Sequence, residues 1–436
     1  MKTKGSFKVL SIVVVILVSI IMATICIIKP YNKNNESTIE EKGLVGEISF
    51  VSNRTDKKEE LKNLVKEFEK LHPNVTVNLE LIGEIEEILQ RRAAVQELPD
   101  VTIVPGAIKS SEYDRYFLPI DDLGFDENEI YHYKYGINEE GKQYCLASSS
   151  LWYGIIYNKA IFEELGIDKI PSTNEEFFEI CEKIKSNGIV PMALNYTQSW
   201  VMECWISIAP YLLDNNLETD AMLGNDNILY EDGGMLKSLD FVRSIVDKGY
   251  VEENILDYKW EQCKRDIVSG KVAMIFYNSD FKYQLSEMGM NSDDIGMFPL
   301  PESEVIKIFG DYKLAIAKNT KYPEVAKEFL KFLFEEDKYV NALNIQSSLK
   351  TSEKNKEFFN ELKGFNISIN KDEDEILDER TKDNTIDIHG IYENIRKSIG
   401  LDYTFTQRYI IDKNIENIIT ETNNDWNLKK KEYIID

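Results

Sequence analysis

Residues 141–200 read GKQYCLASSSLWYGIIYNKAIFEELGIDKIPSTNEEFFEICEKIKSNGIVPMALNYTQSW, and the period of the apolar residues changes along them. Leu151, Tyr153, Ile155 and Tyr157 alternate with Trp152, Gly154 and Ile156, the two-residue period of a strand covered on both faces. Asn158 then offers a side-chain oxygen to the first free amides of a helix carrying Ile161, Phe162 and Leu165. Gly166 supplies the left-handed residue that ends this helix. Thr173 and Glu176 have the spacing of a capping box, and Phe177, Ile180, Cys181 and Ile184 follow as a stripe at helical spacing. A strand followed by two helices is a unit of a layered α/β fold.

The same reading extends to both sides. Upstream, residues 47–51 form a short strand, and Thr55 or Asp56 caps a helix whose Leu61, Leu64, Val65, Phe68 and Leu71 share one face. His72-Pro73-Asn74 stops it, residues 75–81 alternate as a strand, a helix runs through 86–97, and a strand covers 101–104. This βαβαβ order predicts a parallel sheet under helices. Downstream, Leu236, Leu239, Phe241, Val242, Ile245 and Val246 mark a helix over 235–249. A helix over 260–269 leads through GKVAM to a strand at 275–277, and residues 295–300 form another strand bounded by Pro299 and Pro301. GDYKLAIAK, residues 310–318, reads as one strand before a helix over 323–334, and closing helices occupy 410–426. The acidic run 371–380 reads as a solvated segment, because no EF-hand glycine accompanies Asp372, Asp374 and Asp378.

The chain has 436 residues, 43% hydrophobic and 29% charged, enough for two sizeable domains. Its net charge of −25 repels nucleic acid. Lys2, Lys4 and Lys8 precede residues 9–28, which carry no charge. At about 1.5 Å per residue such a run spans a hydrocarbon core of about 30 Å, with the basic end inside and all that follows exported. Three fates stay open for residues 1–28: cleavage after Ile25, lipidation of Cys26, or retention as an anchor. Residues 29–43 read as a polar tether. Cys145, Cys181, Cys204 and Cys263 form no metal-type spacing and name no disulfide pair.

These pieces, in this order, resemble the extracellular solute-binding proteins of ABC importers, in the carbohydrate-binding, maltose-binding-protein-like family. The YNK turn at 157–159, the Pro171–Thr173 helix start, the Gly188–Pro191 turn, the PDV turn at 99–101 and the GKVAM turn carry the likeness, which covers about 44–350. The resemblance implies an α/β fold of the periplasmic-binding type II kind, with two lobes, each a mixed sheet covered by helices. Residues 44–153 with 301–347 would form one lobe, and 154–300 with 348–436 the other. Chain passages near 152–154, 299–301 and 346–350 would form the hinge. It further implies a monomer that captures a small solute, most simply a sugar or oligosaccharide, closes its lobes on it and delivers it to an ABC permease, without cofactor or metal.

A sugar site needs aromatic faces and short polar groups at strand ends that face the cleft. The matched segments give Asn53 and Arg54, Gly106, Trp152 and Tyr153, Trp200, Asn278 and Asp280, Asp311 and Tyr312. Tyr392 falls where the family places a stacking aromatic ring. Near position 280 the family carries Trp. Here the run is Asn278-Ser279-Asp280-Phe281, which leaves Phe281 as a stacking face or Asp280 as a partner for hydroxyls or a cationic group. Trp205 and Trp260 read as packing residues on helices. The three histidines make no catalytic spacing, and no P-loop, GxGxxG or HExxH occurs. A membrane-tethered ligand sensor for a signalling partner is the alternative within binding. A surface glycosidase is the alternative within catalysis and would need two placed carboxylates.

Overall fold

The computed structural model describes residues 43–83, 85–370 and 388–434. Segment 1–28 with Cys26, the tether up to residue 42 and the acidic run 371–380 lie outside the described residues. In chain order the strands are β1 (Gly46–Ser52), β2 (Val75–Leu81), β3 (Val101–Ile103), β4 (Cys145–Ala147), β5 (Ser150–Asn158), β6 (Val190–Ala193), β7 (Val272–Asn278), β8 (Ile295–Phe298), β9 (Val305–Gly310), β10 (Lys313–Ile316) and β11 (Ser368–Asn370). They make two sheets, β2-β1-β3-β10-β4 and β11-β9-β5-β7-β6, with β8 also paired to β5.

The first sheet opens with parallel β1, β2 and β3, as the βαβαβ order requires, and β10 joins antiparallel to β3 and β4. Helix Lys58–Leu71 buries Leu61, Leu64, Val65 and Phe68. The Phe68 ring meets Phe329 of helix Pro323–Phe334 edge-on at 4.9 Å. Phe50, Leu314 and Tyr339 complete this core.

The second sheet is built around β5, antiparallel to β7, β8 and β9. Its alternation separates two cores: Ile155 packs with Phe177, Cys181 and Ile184, while Trp152 and Ile156 pack with Ile267 and Phe281. Gly154 permits the close pairing of β8, since a Cβ there would meet the Phe298 carbonyl oxygen at 2.5 Å. The local punctuation is as read. Asn158 Oδ1 accepts from Ala160 N at 3.0 Å, Thr173 Oγ1 from Glu176 N at 3.2 Å, and Gly166 has φ +60°. Glu176 departs from a reciprocal box: its carboxylate accepts from Ser172 N and Oγ and pairs with Lys169.

The sheet changes differ from the expected boundaries. β9 pairs with β5 in the register Ser150↔Gly310 and Trp152↔Ile308, so residues 301–310 stay with the second lobe. Pro299 and Pro301 do follow β8, but the chain then turns back into the same sheet. GDYKLAIAK is not one strand: Gly310 ends β9, Lys313 starts β10, and Asp311-Tyr312 carry the chain between the sheets. Likewise β4 and β5 belong to different sheets, so the first passage is Ser148-Ser149, and Trp152 and Tyr153 lie in the second lobe. Helices Ile388–Ser398, Tyr403–Ile411 and Ile415–Ile434 close the second lobe, with Tyr392, Tyr409 and Trp426 in its outer core. None of the described helices is long and apolar enough to cross a membrane.

Candidate ligand-binding cleft

The passages between lobes are hydrogen-bonded side by side. Ser148 N donates to Tyr312 O at 2.8 Å, and Asp311 N donates to Ser149 O at 3.0 Å. The third passage joins them where Ser150 N donates to Gln346 O at 3.1 Å and Ser348 Oγ donates to Ala147 O at 2.9 Å. This bundle forms the floor between the sheets. β1 and β7 end beside it, and the C-terminal edge of such sheets is where ligands settle.

Polar groups converge there from both lobes. Arg54, directly after β1, is held by Asp56 through Nε and Nη2 at 2.9 and 2.8 Å. Its remaining field acts on Asp280 and Tyr339. Asn53 is in polar contact with Tyr312. At the end of β7, Asn278 Oδ1 accepts from Asp280 N at 3.2 Å, and the Asn278 side chain meets Tyr153. This turn sets Asp280 in the field of Asp311, Arg54, Lys354 and Lys282. Asp280 is 8% exposed, and its Oδ1 is buried without a hydrogen-bond partner. Burial, and then Asp311, pushes the Asp280 carboxyl up to about 8 despite Arg54. Burial also raises Asp311.

Aromatic rings form a row along the second lobe. Trp200, 45% exposed, meets Trp260 edge-on at 6.2 Å. Trp260 meets Tyr277 at 5.2 Å, and Tyr277 meets Tyr153 at 6.3 Å. Tyr153 in turn touches Phe309 at 5.6 Å. Trp260 was expected only to pack, and Tyr277 was not singled out. The available signal was position: Tyr277 directly precedes Asn278 at the carboxyl end of β7.

Seven of the sequence candidates therefore come together: Asn53, Arg54, Tyr153, Asn278, Asp280, Asp311 and Tyr312. Trp200 stands at the outer end of the aromatic row. Gly106 is exposed in the loop after β3, where its N–H donates to Glu86, whose charge also reaches Tyr312. Two candidates are corrected. Trp152 is fully buried, because Ile267 and Phe281 cover its face of β5, while Tyr153 on the opposite face stays partly exposed. Tyr392 is fully buried between Tyr211 and Trp426, because its helix faces the outer core of the second lobe. Phe281 is likewise fully buried and offers no stacking face.

The lobes also touch beyond the floor. Lys57 of the first lobe is ion-paired with Glu287 of the second, and Lys109 Nζ donates to Asn394 Oδ1 at 3.4 Å. Residues 54–57 thus lie beside Asp280 and helix Phe281–Glu287. Among the described residues no group of His, Cys, Asp or Glu could hold a metal ion.

Two lobes joined by side-by-side chain passages, with polar groups of both and a row of rings of the second beside them, have the layout of a solute-binding protein. The sequence profile of the bacterial extracellular solute-binding protein family matches residues 52–339, and the chain belongs to that family. The chain is 24% identical over 336 residues to the multiple sugar-binding protein of Streptococcus mutans serotype c, spanning 73% of this chain and 77% of that one. Among solved structures it resembles BlMnBP1, a binding protein of an ABC transporter from Bifidobacterium animalis subsp. lactis, in complex with mannobiose. The TM-score is 0.76 at 22% identity, over 89% of this chain and 95% of that one. The raffinose complex of the solute-binding protein RafE matches with TM-score 0.67 at 20% identity, over 88% and 100% of the two chains. These likenesses carry the fold; the family places the chain outside the cytoplasm.

Proposed function

We propose that this protein captures an oligosaccharide in the cleft between its lobes and delivers it to an ABC permease as a monomer. The observation that carries the reading is the meeting of a ring row, Trp200–Trp260–Tyr277–Tyr153, with hydrogen-bonding groups from both lobes at its inner end. Rings cover the C–H faces of pyranoses, and short polar side chains bond hydroxyls. A relative named for multiple sugars supports the ligand class. Closure follows from the geometry: a ligand touching both lobes binds the closed state more tightly and shifts the population toward it. The chain binds and does not catalyse, in keeping with its family. The N-terminal segment retains it at the outer face of the membrane, either as an uncleaved anchor or through a lipid on Cys26.

The test is a thermal-shift and calorimetric screen with mannobiose, mannotriose, raffinose and chito-oligosaccharides, using chain freed of residues 1–42. A ligand that binds only the folded state raises the melting temperature, by about 2.7 kcal/mol of stabilisation at a hundredfold excess over Kd. Scattering should show a smaller radius of gyration when ligand is added. If no sugar shifts melting or titrates, the reading fails. Release of reducing ends would instead favour the glycosidase alternative.

A further inference from the structure

We propose that Glu252 is a positioning residue for the ligand cleft: its carboxylate, seated in the turn after β6, holds Trp200 and Trp260 together as one stacking wall. The inference rests on the oligosaccharide reading and adds a buried residue that sets how the outer rings of the row are presented.

β6 is the edge strand of the second sheet, so the N–H groups on its outer side need partners from outside the sheet. The segment after helix Gly234–Asp247 supplies them. Met192 N donates to Tyr250 O at 2.9 Å. The strand ends at Ala193, and Asn195 enters the left-handed region with φ +53°, which Asn tolerates better than most residues. A turn of this kind can bring successive amides to one side, as in the anion-binding concavities that backbone N–H groups form. Here the protein's own carboxylate fills the place. Leu194 N donates to Glu252 Oε2 at 2.8 Å, and Asn195 N donates to Oε1 at 2.9 Å. Glu252 is 6% exposed. Burial raises its carboxyl, and the amides of Leu194, Asn195 and Glu252 itself act against that rise.

The held turn carries both outer rings. Gln198 N donates to Asn195 O at 2.9 Å, and Gln198 O accepts from Val201 N and Met202 N at 3.1 Å. These bonds set the first turn of helix Ser199–Ser207 and Trp200 on it. Asn195 Nδ2 donates at 3.0 Å to the Sγ of Cys263, which lies on helix Trp260–Val268. Thr197 Oγ1 donates to Tyr258 O at 3.2 Å, just before that helix. The turn thus ties the helix of Trp200 to the helix of Trp260, whose rings meet edge-on at 6.2 Å. Rings held in their bound geometry before the ligand arrives reduce the ordering cost of binding. Both oxygens of Glu252 are bonded to backbone, so it acts through the turn and not by touching the sugar.

Glu252→Gln keeps the shape but puts an amide group where one acceptor oxygen stood, so one of the two bonds is lost. Titration of mannotriose and raffinose should show affinity weakened roughly tenfold. In the Trp200→Ala background the same change should cost no more than about threefold, because a ring that is absent cannot be misplaced. A residue that only stabilises the fold would lower the melting temperature and leave the affinity of the folded fraction alone. Near-ultraviolet circular dichroism of the unliganded protein gives a second readout. The part of the signal that Trp200→Ala removes reports the coupled indoles, and it should also fade in Glu252→Gln. Equal losses of affinity in both backgrounds, or unchanged affinity in the folded variant, overturn the positioning role and leave oligosaccharide binding intact. If the wild type binds no sugar of the screen, the oligosaccharide reading fails and the indole signal alone decides. Its persistence in Glu252→Gln then overturns the positioning role, and its loss supports it. Should Glu252→Gln fail to fold, a protein with Cys263→Ala and Thr197→Val keeps the carboxylate and cuts both ties to Trp260. It should weaken binding and lose the indole signal in the same way, and wild-type values of both would overturn the proposal.

Discussion

Replacing Trp200 by Ala separates a ligand-contact ring from a packing ring. A Trp side chain buries roughly 150–250 Å² when fully covered. With 45% of the residue exposed, roughly 100 Å² is open to a ligand. A pyranose lying on one face covers about half of that, and roughly 50 Å² at about 25 cal/mol per Å² is ~1.3 kcal/mol. Ring contact beyond area adds ~0.5–1.5 kcal/mol. The substitution should therefore cost ~2 kcal/mol of binding, a roughly thirtyfold rise in Kd. In the empty protein the ring loses mainly its edge contact with Trp260, so the melting temperature should fall by no more than about 2–4 °C. Calorimetric titration of the Trp200→Ala protein beside its unliganded melting curve decides. Unchanged affinity in the folded protein would refute the placement of Trp200 on the ligand path, and a large fall in melting temperature would return it to the packing residues.

Two further substitutions probe closure and burial. Lys57 is almost fully covered while Glu287 keeps about a third of its side chain exposed, so their ion pair across the lobes should favour the closed state by ~1–2 kcal/mol. Lys57→Met should then weaken ligand affinity roughly fivefold to thirtyfold, with the melting curve of the separate lobes little changed. Affinity equal to wild type, together with no response of the wild type to 1 M salt, would remove this contact from closure. Lys307 is 3% exposed, has no hydrogen-bond partner at Nζ, and lies over the Tyr211 ring at 4.9 Å, so burial lowers it to about 8. The unfolded chain binds a proton that the folded one resists between about pH 8 and 10.5, so this group makes stability rise with pH across that window. Lys307→Met, which keeps the length without the charge, should raise stability by ~1–2 kcal/mol at pH 7 and flatten that slope, as denaturant melts at pH 7 and 10 will show.

Local chemistry was legible in the sequence because it depends on neighbours in the chain. Asn158 and Thr173 cap the helices they precede, Gly166 ends one in the left-handed region, and the alternation from Leu151 to Tyr157 gives a strand covered on both faces. The ordered set of such signals also carried the family and the two-lobe α/β class. Strand pairing was not legible, since it joins residues far apart in the chain. Pro299 and Pro301 announce the end of a strand but not which sheet receives the next one, and only the register Ser150↔Gly310 keeps β9 in the second lobe and moves the passage to Asp311-Tyr312. Period alone puts Trp152 and Tyr153 on opposite faces, yet only the packing says that Ile267 and Phe281 cover Trp152 completely while Tyr153, on the face it shares with Ile155, stays partly exposed. Tyr392 sits on an amphipathic helix whose apolar side could have met the cleft, and its contact with Trp426 turned it to the outer core. The cleft electrostatics belong wholly to the tertiary structure. Asp280 is an ordinary acidic residue among 76 in the chain, and it is its burial after β7, with Oδ1 left without a hydrogen-bond partner, that pushes its carboxyl up.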